Sequence, residues 1–316
     1  MNRLHVALLG ALVAGCAAAP ERPLRVVTFP WPGYQTLALA RSLGYFDDSQ
    51  VRLVEMVNNT QASDAFRAGT VDAGTVTVDE ALMLMQDGVD LRIVLVMDGS
   101  HGADVVMARP GIATLEDLRG KRVGVETAAV GAVMLDAVLT AARLEAMDIT
   151  LVEVPVNAHA QAFLDGKVDA VVTYEPVRSV LLGRGAHVLF DSRSIPGRLV
   201  DVLAVRTDAI AAHPKALTAL VAAHFRALDY LAQHRDDASR RIARYLSTTP
   251  GQVLPMFDLI SLPGLAENRA LLSGRTPQLI ARTRDLGELM VRQRLLHAMV
   301  PLDHLVEPRF LPDVPR

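Results

Sequence analysis

One sequence pattern occurs twice in the chain, and this duplication constrains the fold more than any other feature. The pattern F-x-x-G-x-V-D-A fills residues 66–73 and again residues 163–170, a displacement of 97 positions. The same displacement carries Arg25 onto Arg122. Matches that recur in order at one displacement are typical of a duplicated structural unit. The sequence therefore predicts two copies of one unit in which strands alternate with helices.

Runs rich in β-branched residues, bounded by turn residues, predict the strands of both copies. These runs are 24–29, 51–57, 73–78, 122–126, 150–156 and 170–175. Strands that alternate with helices form mostly parallel sheets that helices cover on both faces. The expected fold class is therefore α/β, with one such sheet in each of two lobes.

Strands outside the duplicated pattern indicate how the lobes are connected. Runs at 91–97 and 104–108 continue the first copy, and 200–206 is predicted to return the chain to it. From Pro214 onward the pattern is helical. The expected divisions are a first lobe at 24–108, a second lobe at 109–202, and a return strand with C-terminal helices at 203–316 that pack on the first lobe. Crossovers are expected near 108–110 and 202–204.

The first residues predict export. An apolar stretch from Val6 to Gly15 follows Arg3; it has the length of a signal-peptide core and is too short to span a bilayer. It ends in L-V-A-G-C, which resembles the lipobox of bacterial lipoproteins, and Cys16 is the only cysteine of the chain. We expect a signal peptide at 1–15, a lipid on Cys16 and a tether at 16–23. The alternative is an ordinary secretory signal with an incidental thiol.

Composition argues against several other classes of function. The formal net charge is −3 without a long basic or acidic block, so nucleic acid is not an expected partner. The nine histidines are scattered, so no metal site and no cofactor are predicted. The chain has no G-x-S-x-G nucleophile elbow. The sequence thus favours a binding protein and not an enzyme.

Four further motifs carry a resemblance to a known family. They are Trp31-Pro32-Gly33-Tyr34, A-R-S-L-G-Y-F at 40–46, D-L-R-G-K-R-V-G-V at 117–125, and Tyr174-Glu175-Pro176. Together with the G-x-V-D-A elements, they resemble the nitrate/sulfonate/taurine group of ABC-transporter solute-binding proteins, which also contains binders of thiamine-precursor pyrimidines. The likeness spans about residues 24–235.

This resemblance implies the type II periplasmic binding fold, in which two lobes joined by two hinge crossovers close on a small molecule. It also implies an ABC permease and its ATPase subunit as partners, and no catalysis. We expect an exported monomer that meets the membrane only through the lipid on Cys16. That membrane faces the periplasm or, in a single-membrane bacterium, the outer cell surface.

Ligands of open α/β sheets bind at the carboxyl ends of the strands, where the repeat places two facing sets of loops. On one wall Trp31, the only tryptophan, suits stacking on a flat ligand, although a lid over the first helix is the alternative. On the other wall a predicted helix begins near Thr127. The full set of predicted ligand-binding residues is Trp31, Tyr34, Thr75, Thr77, Asp98, Ser100, Thr127, Ala128, Gly131, Tyr174, Glu175 and Asp201.

The sign of the ligand's charge is open at this level. Resemblance to sulfonate and nitrate binders suggests an anion, whereas Asp98, Glu175 and Asp201 are expected at strand ends without a nearby lysine or arginine. These residues favour a neutral or cationic nitrogen compound, such as a pyrimidine or an amine. Solvated or helix-capping carboxylates are the alternative.

Two other functions are compatible with the same fold. A lipoprotein of this kind could sense its ligand for a membrane receptor instead of delivering it to a permease. A pyrimidine-synthesising enzyme of the same broad family is the remaining alternative, but its cysteine-rich motif is absent here.

Overall fold

A computed structural model describes residues 22–127 and 130–313 of the chain, so Cys16 and Ala128 lie outside the described residues. The strands are β1 (Leu24–Thr28), β2 (Val51–Glu55), β3 (Ala73–Thr77), β4 (Leu91–Ser100), β5 (Asp104–Ala108), β6 (Arg122–Val125), β7 (Thr150–Glu153), β8 (Ala170–Tyr174), β9 (His187–Asp191), β10 (Val200–Arg206) and β11 (Ile260–Ser261). The helices of the repeated units are α1 (Gln35–Ser42), α2 (Asn59–Arg67), α3 (Val78–Gln86), α4 (Val130–Ala142), α5 (Val156–Leu164) and α6 (Val177–Leu182). The C-terminal helices are α7 (Thr207–Ala212), α8 (Pro214–Gln233), α9 (Arg235–Ala243), α10 (Pro250–Phe257), α11 (Leu265–Leu272) and α12 (Gln278–Arg292).

The strands form two mixed sheets. The first has the order β11-β4-β10-β3-β1-β2, and the second has the order β7-β6-β8-β5-β9. Most strands of each sheet run in one direction, and the reversed strands include β10 in the first sheet and β5 in the second. Both of these strands follow a crossing of the chain between the sheets. The expected two-lobed α/β fold is confirmed, whereas the sheets are mixed and not mostly parallel in their pairing, because β10 and β5 run against their neighbours.

Both crossing points lie earlier in the chain than the sequence predicts, the first by one strand and the second by a few residues. Strand β5 pairs with β8 and β9, so residues 104–108 belong to the second lobe and their assignment to the first was wrong. The chain crosses at 101–103 and returns at 195–199, ahead of β10. The sequence pattern of a buried apolar strand of five residues is compatible with either sheet. Only its pairing partners show which sheet it joins.

The duplicated pattern is built identically in both lobes. Val26 pairs with Ala73 across β1 and β3, and Val123 pairs with Ala170 across β6 and β8. In each lobe the aspartate of the V-D-A element accepts hydrogen bonds from an arginine side chain and from its backbone N–H. The donors are Arg25 to Asp72 and Arg122 to Asp169, and the backbone N–H bonds are both 2.9 Å. These aspartates tie the start of one strand to the start of the next.

The C-terminal helices pack on the first lobe. Asn268 in α11 is fully buried, and its Oδ1 accepts a hydrogen bond from the backbone N–H of Val96 in β4 at 2.8 Å. Helices α8 and α9 cover α1, and the Arg241 guanidinium donates to the carbonyl of Ser42 at 3.0 Å. Among the helices within 22–127 and 130–313, none combines the length and the apolar character needed to cross a membrane.

Candidate functional site

A cavity lies between the lobes at the carboxyl ends of β1 and β3; it measures about 300 Å³ when the part open to solvent is included. Its lining residues come from both lobes: Phe29, Trp31, Tyr34, Asn59, Thr77, Glu80, Asp104, Val130, Tyr174, Leu199 and Asp201. We call it the aromatic cavity. A second cavity of about 270 Å³ adjoins it and extends to Glu126, Gly131 and His159. Asn59, Asp104, Val130 and Tyr174 line both.

The loop after β1 places two aromatic side chains in this cavity. Pro32 starts a short 3-10 turn, which directs Trp31 and Tyr34 inward. Trp31 is 4% exposed and Tyr34 is 1% exposed. Trp31 meets the ring of Tyr174, from the other lobe, edge-on at 5.7 Å between centroids. The Trp31 ring is therefore an interlobe contact and not a lid over the first helix.

Both aromatic residues donate hydrogen bonds to a pair of buried aspartates. Trp31 Nε1 lies 3.1 Å from Asp98 Oδ1, and the Tyr34 hydroxyl donates to Asp201. Asp98 and Asp201 face each other across β4 and β10, with their carboxyl groups within reach of one another. Gly33 makes this arrangement possible, because a Cβ added there would lie 1.7 Å from Asp98 Oδ2.

The aspartate pair retains a proton at neutral pH. Burial raises the pKa of Asp98 to about 7. Burial and the charge of Asp98 raise the pKa of Asp201 well above its usual range. Two carboxylates in contact and away from water do not both ionise, because their like charges repel.

Two more carboxyl groups face the aromatic cavity. Glu80 belongs to the capping box that Thr77 forms at the start of α3, and its Oε1 accepts a hydrogen bond from Asn59 Nδ2 at 3.0 Å. Burial, together with the charge of Asp79, raises the pKa of Glu80 to about 8. Burial also raises the pKa of Asp104, at the start of β5, to about 7.

The wall from the second lobe is formed by the ends of β6 and β8 and by α4. Tyr174 is buried, and its hydroxyl has no hydrogen-bond partner among the described residues. Gly131 packs against the Glu126 carbonyl so closely that an added Cβ would lie 1.9 Å from it. Burial lowers the pKa of His159 to about 4, so its imidazole is neutral at neutral pH.

The lobes also contact each other directly beside the cavities. Thr60 in α2 donates to Glu126 at the end of β6. Asn58, which caps α2, donates from Nδ2 to Asn157 Oδ1 in α5 at 3.0 Å. These two hydrogen bonds join the lobes beside the cavities.

The structure brings together half of the predicted ligand-binding residues. Trp31, Tyr34, Thr77, Tyr174 and Asp201 line the aromatic cavity, and Gly131 lines the second cavity.

Four others lie elsewhere. The Thr75 hydroxyl donates to the Val27 carbonyl within the first sheet. Ser100 bonds to the Ser192 hydroxyl between the two crossing segments, at 2.8 Å. The exposed Thr127 donates to Glu153. Asp98 lies behind Trp31 and positions its ring.

Glu175 departs furthest from its prediction. Its Oε1 lies 3.0 Å from the Arg178 guanidinium and accepts from the Ser179 hydroxyl at 2.9 Å, and its Oε2 accepts from the Ser179 backbone N–H. It therefore caps α6, and the expectation that no arginine accompanies it was wrong. An arginine three residues further along a helix returns to the cap, which the strand-end pattern alone does not show.

Sequence reasoning missed six residues that line the aromatic cavity: Phe29, Asn59, Glu80, Asp104, Val130 and Leu199. The spacing of Thr77 and Glu80 in the sequence indicates only a capping box at a helix start, and Asp104 begins an ordinary strand pattern. Asn59 follows the cap of α2 and carried no signal at all.

Several known proteins are similar to this chain in sequence or in structure. A Bacillus subtilis protein named "Putative aliphatic sulfonates-binding protein" is 24% identical over 72% of this chain and 73% of its own length. A Haemophilus influenzae protein named "Putative thiamine biosynthesis protein" is 23% identical over 84% of each chain.

Among solved structures, the alkanesulfonate-binding protein SsuA of Xanthomonas axonopodis, bound to MOPS, superposes with a TM-score of 0.78. It is 21% identical, over 92% of this chain and all of its own. The desulfurization enzyme DSZB superposes with a TM-score of 0.66 at 18% identity, over 92% of this chain and 97% of its own. These likenesses show the two-lobed fold.

The family itself is shown by a match of another kind. The model of the NMT1-like family matches residues 17–247, which include both copies of the duplicated unit, both crossing segments and all four aromatic residues of the cavity. This chain belongs to the NMT1-like family.

Proposed function

We propose that this protein is an exported solute-binding protein that captures a small molecule in the aromatic cavity and delivers it to an ABC permease. The observation that carries the proposal is the cavity itself, which is lined by buried aromatic and polar side chains from both lobes. Two segments, at 101–103 and 195–199, connect lobes of this size. Such a hinge permits the lobes to open and to close on a ligand that contacts both walls.

The charge of the lining favours a nitrogen compound over a sulfonate. The aromatic cavity is lined by three carboxyl groups and by no lysine or arginine. Two similar proteins have sulfonate ligands in their names, but these proteins are 24% or less identical to this chain. Their ligands therefore do not decide the ligand of this protein. An amine or a pyrimidine fits these walls better than an alkanesulfonate does.

Delivery also requires a place at the membrane. We propose that residues 1–15 direct export and that Cys16 carries a lipid that holds the protein beside the permease. Sensing for a membrane receptor is the second candidate function, because the same closure would serve it. A gene for a permease and an ATPase next to this one supports import, and a neighbouring sensor kinase or cyclase supports sensing.

The likeness to DSZB raises catalysis as a further alternative. His159 is the one histidine that lines the cavities, and both of its ring nitrogens are hydrogen-bonded. One lies 2.9 Å from the Val154 carbonyl oxygen and the other 3.0 Å from the Thr173 hydroxyl. The only cysteine of the sequence, Cys16, lies within the proposed anchor. Neither residue supplies a free base beside a nucleophile, which supports binding without chemistry.

The test uses Trp31 as an internal reporter, since it is the only tryptophan and it lines the cavity. The full chain is purified in mild detergent, and native mass spectrometry identifies what co-purifies. The recovered compound, added back to stripped protein, is expected to shift Trp31 emission and to decrease the radius of gyration in X-ray scattering. An unchanged radius at saturation would refute capture by closure.

A further inference from the structure

The carboxyl groups of the aromatic cavity have no basic partner. Glu80, Asp104 and Asp201 line it, and none of them forms a salt bridge within the described part of the chain. The donors that reach Glu80 and Asp201 come from neutral groups, an amide and a phenol. A ligand that enters this cavity therefore meets carboxyl groups whose charge, once they ionise, no basic side chain of the cavity neutralises.

Two unpartnered polar atoms point to the same chemistry independently. Asn59 is 2% exposed, its Nδ2 is held by Glu80, and its Oδ1 is buried without a donor. The Tyr174 hydroxyl is likewise buried without a partner. Both residues line both cavities. Buried polar atoms are rarely left without partners, and an unoccupied amide oxygen calls for an N–H or O–H donor.

The protonation state of these carboxyl groups agrees with a site that awaits positive charge. Burial raises the pKa values of Glu80 and Asp104 to about 8 and about 7, so each holds a proton for part of the time at neutral pH. A cation beside them would favour the ionised form and displace that proton. An anion would meet ionised or protonated carboxyl groups without any fixed positive charge to offset them.

The remaining walls suit an organic body and not a metal ion. Phe29, Trp31, Tyr34 and Tyr174 surround the cavity, and aromatic faces attract organic cations. Within 22–127 and 130–313, no three His, Cys, Asp or Glu side chains come together closely enough to hold a metal ion.

We propose that the ligand is an organic cation that carries an ammonium, amidinium or guanidinium group, bound by Asp104 and Glu80 with Asn59 Oδ1 as a further acceptor. This inference rests on the proposed function, because it names the class of molecule that closure captures. Asp104 is the principal recognition residue, since it opens β5 directly opposite Tyr174 and, unlike Glu80, is not part of a helix cap.

The experiment compares probes that share one body and differ in charge. Benzamidine, benzamide and benzenesulfonate carry a cationic, a neutral and an anionic group on a phenyl ring, and agmatine and butanesulfonate form an aliphatic pair. Each is titrated into stripped protein at pH 7.5, with Trp31 emission and calorimetry as readouts. We expect at least one cation to bind tenfold or more tightly than its neutral or anionic counterpart.

Two variants test whether Asp104 contacts the cation. Asp104→Asn is expected to lower the affinity for the cation at least tenfold, whereas Asp303→Asn, on the exposed surface, is expected to leave that affinity unchanged. Circular dichroism checks that both variants are folded. Equal affinity of the Asp104→Asn variant and the natural protein for the cation would overturn the inference.

The compound that co-purifies separates the two proposals. If this compound is a cation at neutral pH, it supports both the solute-binding function and the cationic ligand. A neutral compound or an anion, bound with compaction of the lobes, keeps the solute-binding function and overturns the cationic ligand. Absence of any response to cations, neutral compounds and anions alike would overturn both.

Discussion

Asp104 makes the stability of the ligand-free protein depend on pH in a direction opposite to that of ordinary surface carboxylates. Burial raises its pKa from 3.8 to about 7. Between these values the unfolded chain has released its proton while the folded protein retains it. The folded state thus binds more protons, so the free energy of unfolding falls as the pH rises from about 4 to about 7.

The size of this effect follows from the two pKa values. The difference between 3.8 and about 7 corresponds to roughly 4 kcal/mol of stability that is present at pH 4 and absent above pH 7. The charge of Asp104 also raises the pKa values of Asp98 and Asp201. Replacing Asp104 by asparagine keeps the shape of the side chain and removes its titratable proton. It also removes the charge that helps to raise the pKa values of Asp98 and Asp201.

We therefore expect Asp104→Asn to flatten the pH dependence. Urea unfolding at pH 5 and pH 8, monitored by circular dichroism, is expected to show the free energy of unfolding of the natural protein falling by several kcal/mol. In the variant the fall is smaller by about 2–4 kcal/mol. Asp303→Asn serves as the exposed control and leaves the fall unchanged. Parallel curves for Asp104→Asn and the natural protein would refute the account of a buried, protonated carboxyl group.

Three further changes test other parts of the molecule. Cys16→Ser should move the protein from the salt-washed membrane fraction to the soluble fraction with unchanged ligand affinity, and retention in the membrane would contradict a lipid anchor. Gly33→Ala should lower the free energy of unfolding by about 1–3 kcal/mol, and with it the melting temperature, because the new Cβ displaces Asp98. An unchanged melting curve and unchanged Trp31 emission would show that the loop accommodates the Cβ without strain. Glu175→Gln should destabilise the second lobe by about 1–3 kcal/mol through the loss of the Arg178 partner, measured by urea unfolding, while ligand affinity stays within twofold; a tenfold loss of affinity would return Glu175 to the binding site.

The fold was predictable because the duplication records it in the sequence. The F-x-x-G-x-V-D-A element marks the same turn in both lobes, and the role of its aspartate follows from the pairing of Asp72 with Arg25 and of Asp169 with Arg122. Hydrophobic patterns also predicted nine of the eleven described strands to within a few residues, but not β9 or β11. They did not show that 104–108 pairs in the second sheet, since sheet membership depends on contacts between residues distant in sequence.

The site was only partly predictable because its two walls are not copies of each other. At the end of β3 the first lobe has Thr77 and the capping box with Glu80. At the equivalent end of β8 the second lobe has Tyr174 in the cavity and Glu175 turned away to cap α6. The repeat predicts where these loops lie but not which side chain faces inward.

Two of the three carboxyl groups that line the cavity come from outside the equivalent positions of the repeat. Asp104 lies immediately after the first crossing, and Asp201 lies immediately after the return crossing, where β10 re-enters the first sheet. Each thus lies where a crossing segment meets a sheet, so the hinge motion proposed above would change the burial of both. In that proposal, closure would move these carboxyl groups away from water together and would raise the free energy of an empty closed form unless a positive charge joined them. A cationic ligand would therefore stabilise the closed form specifically, and the same two residues would couple recognition to closure.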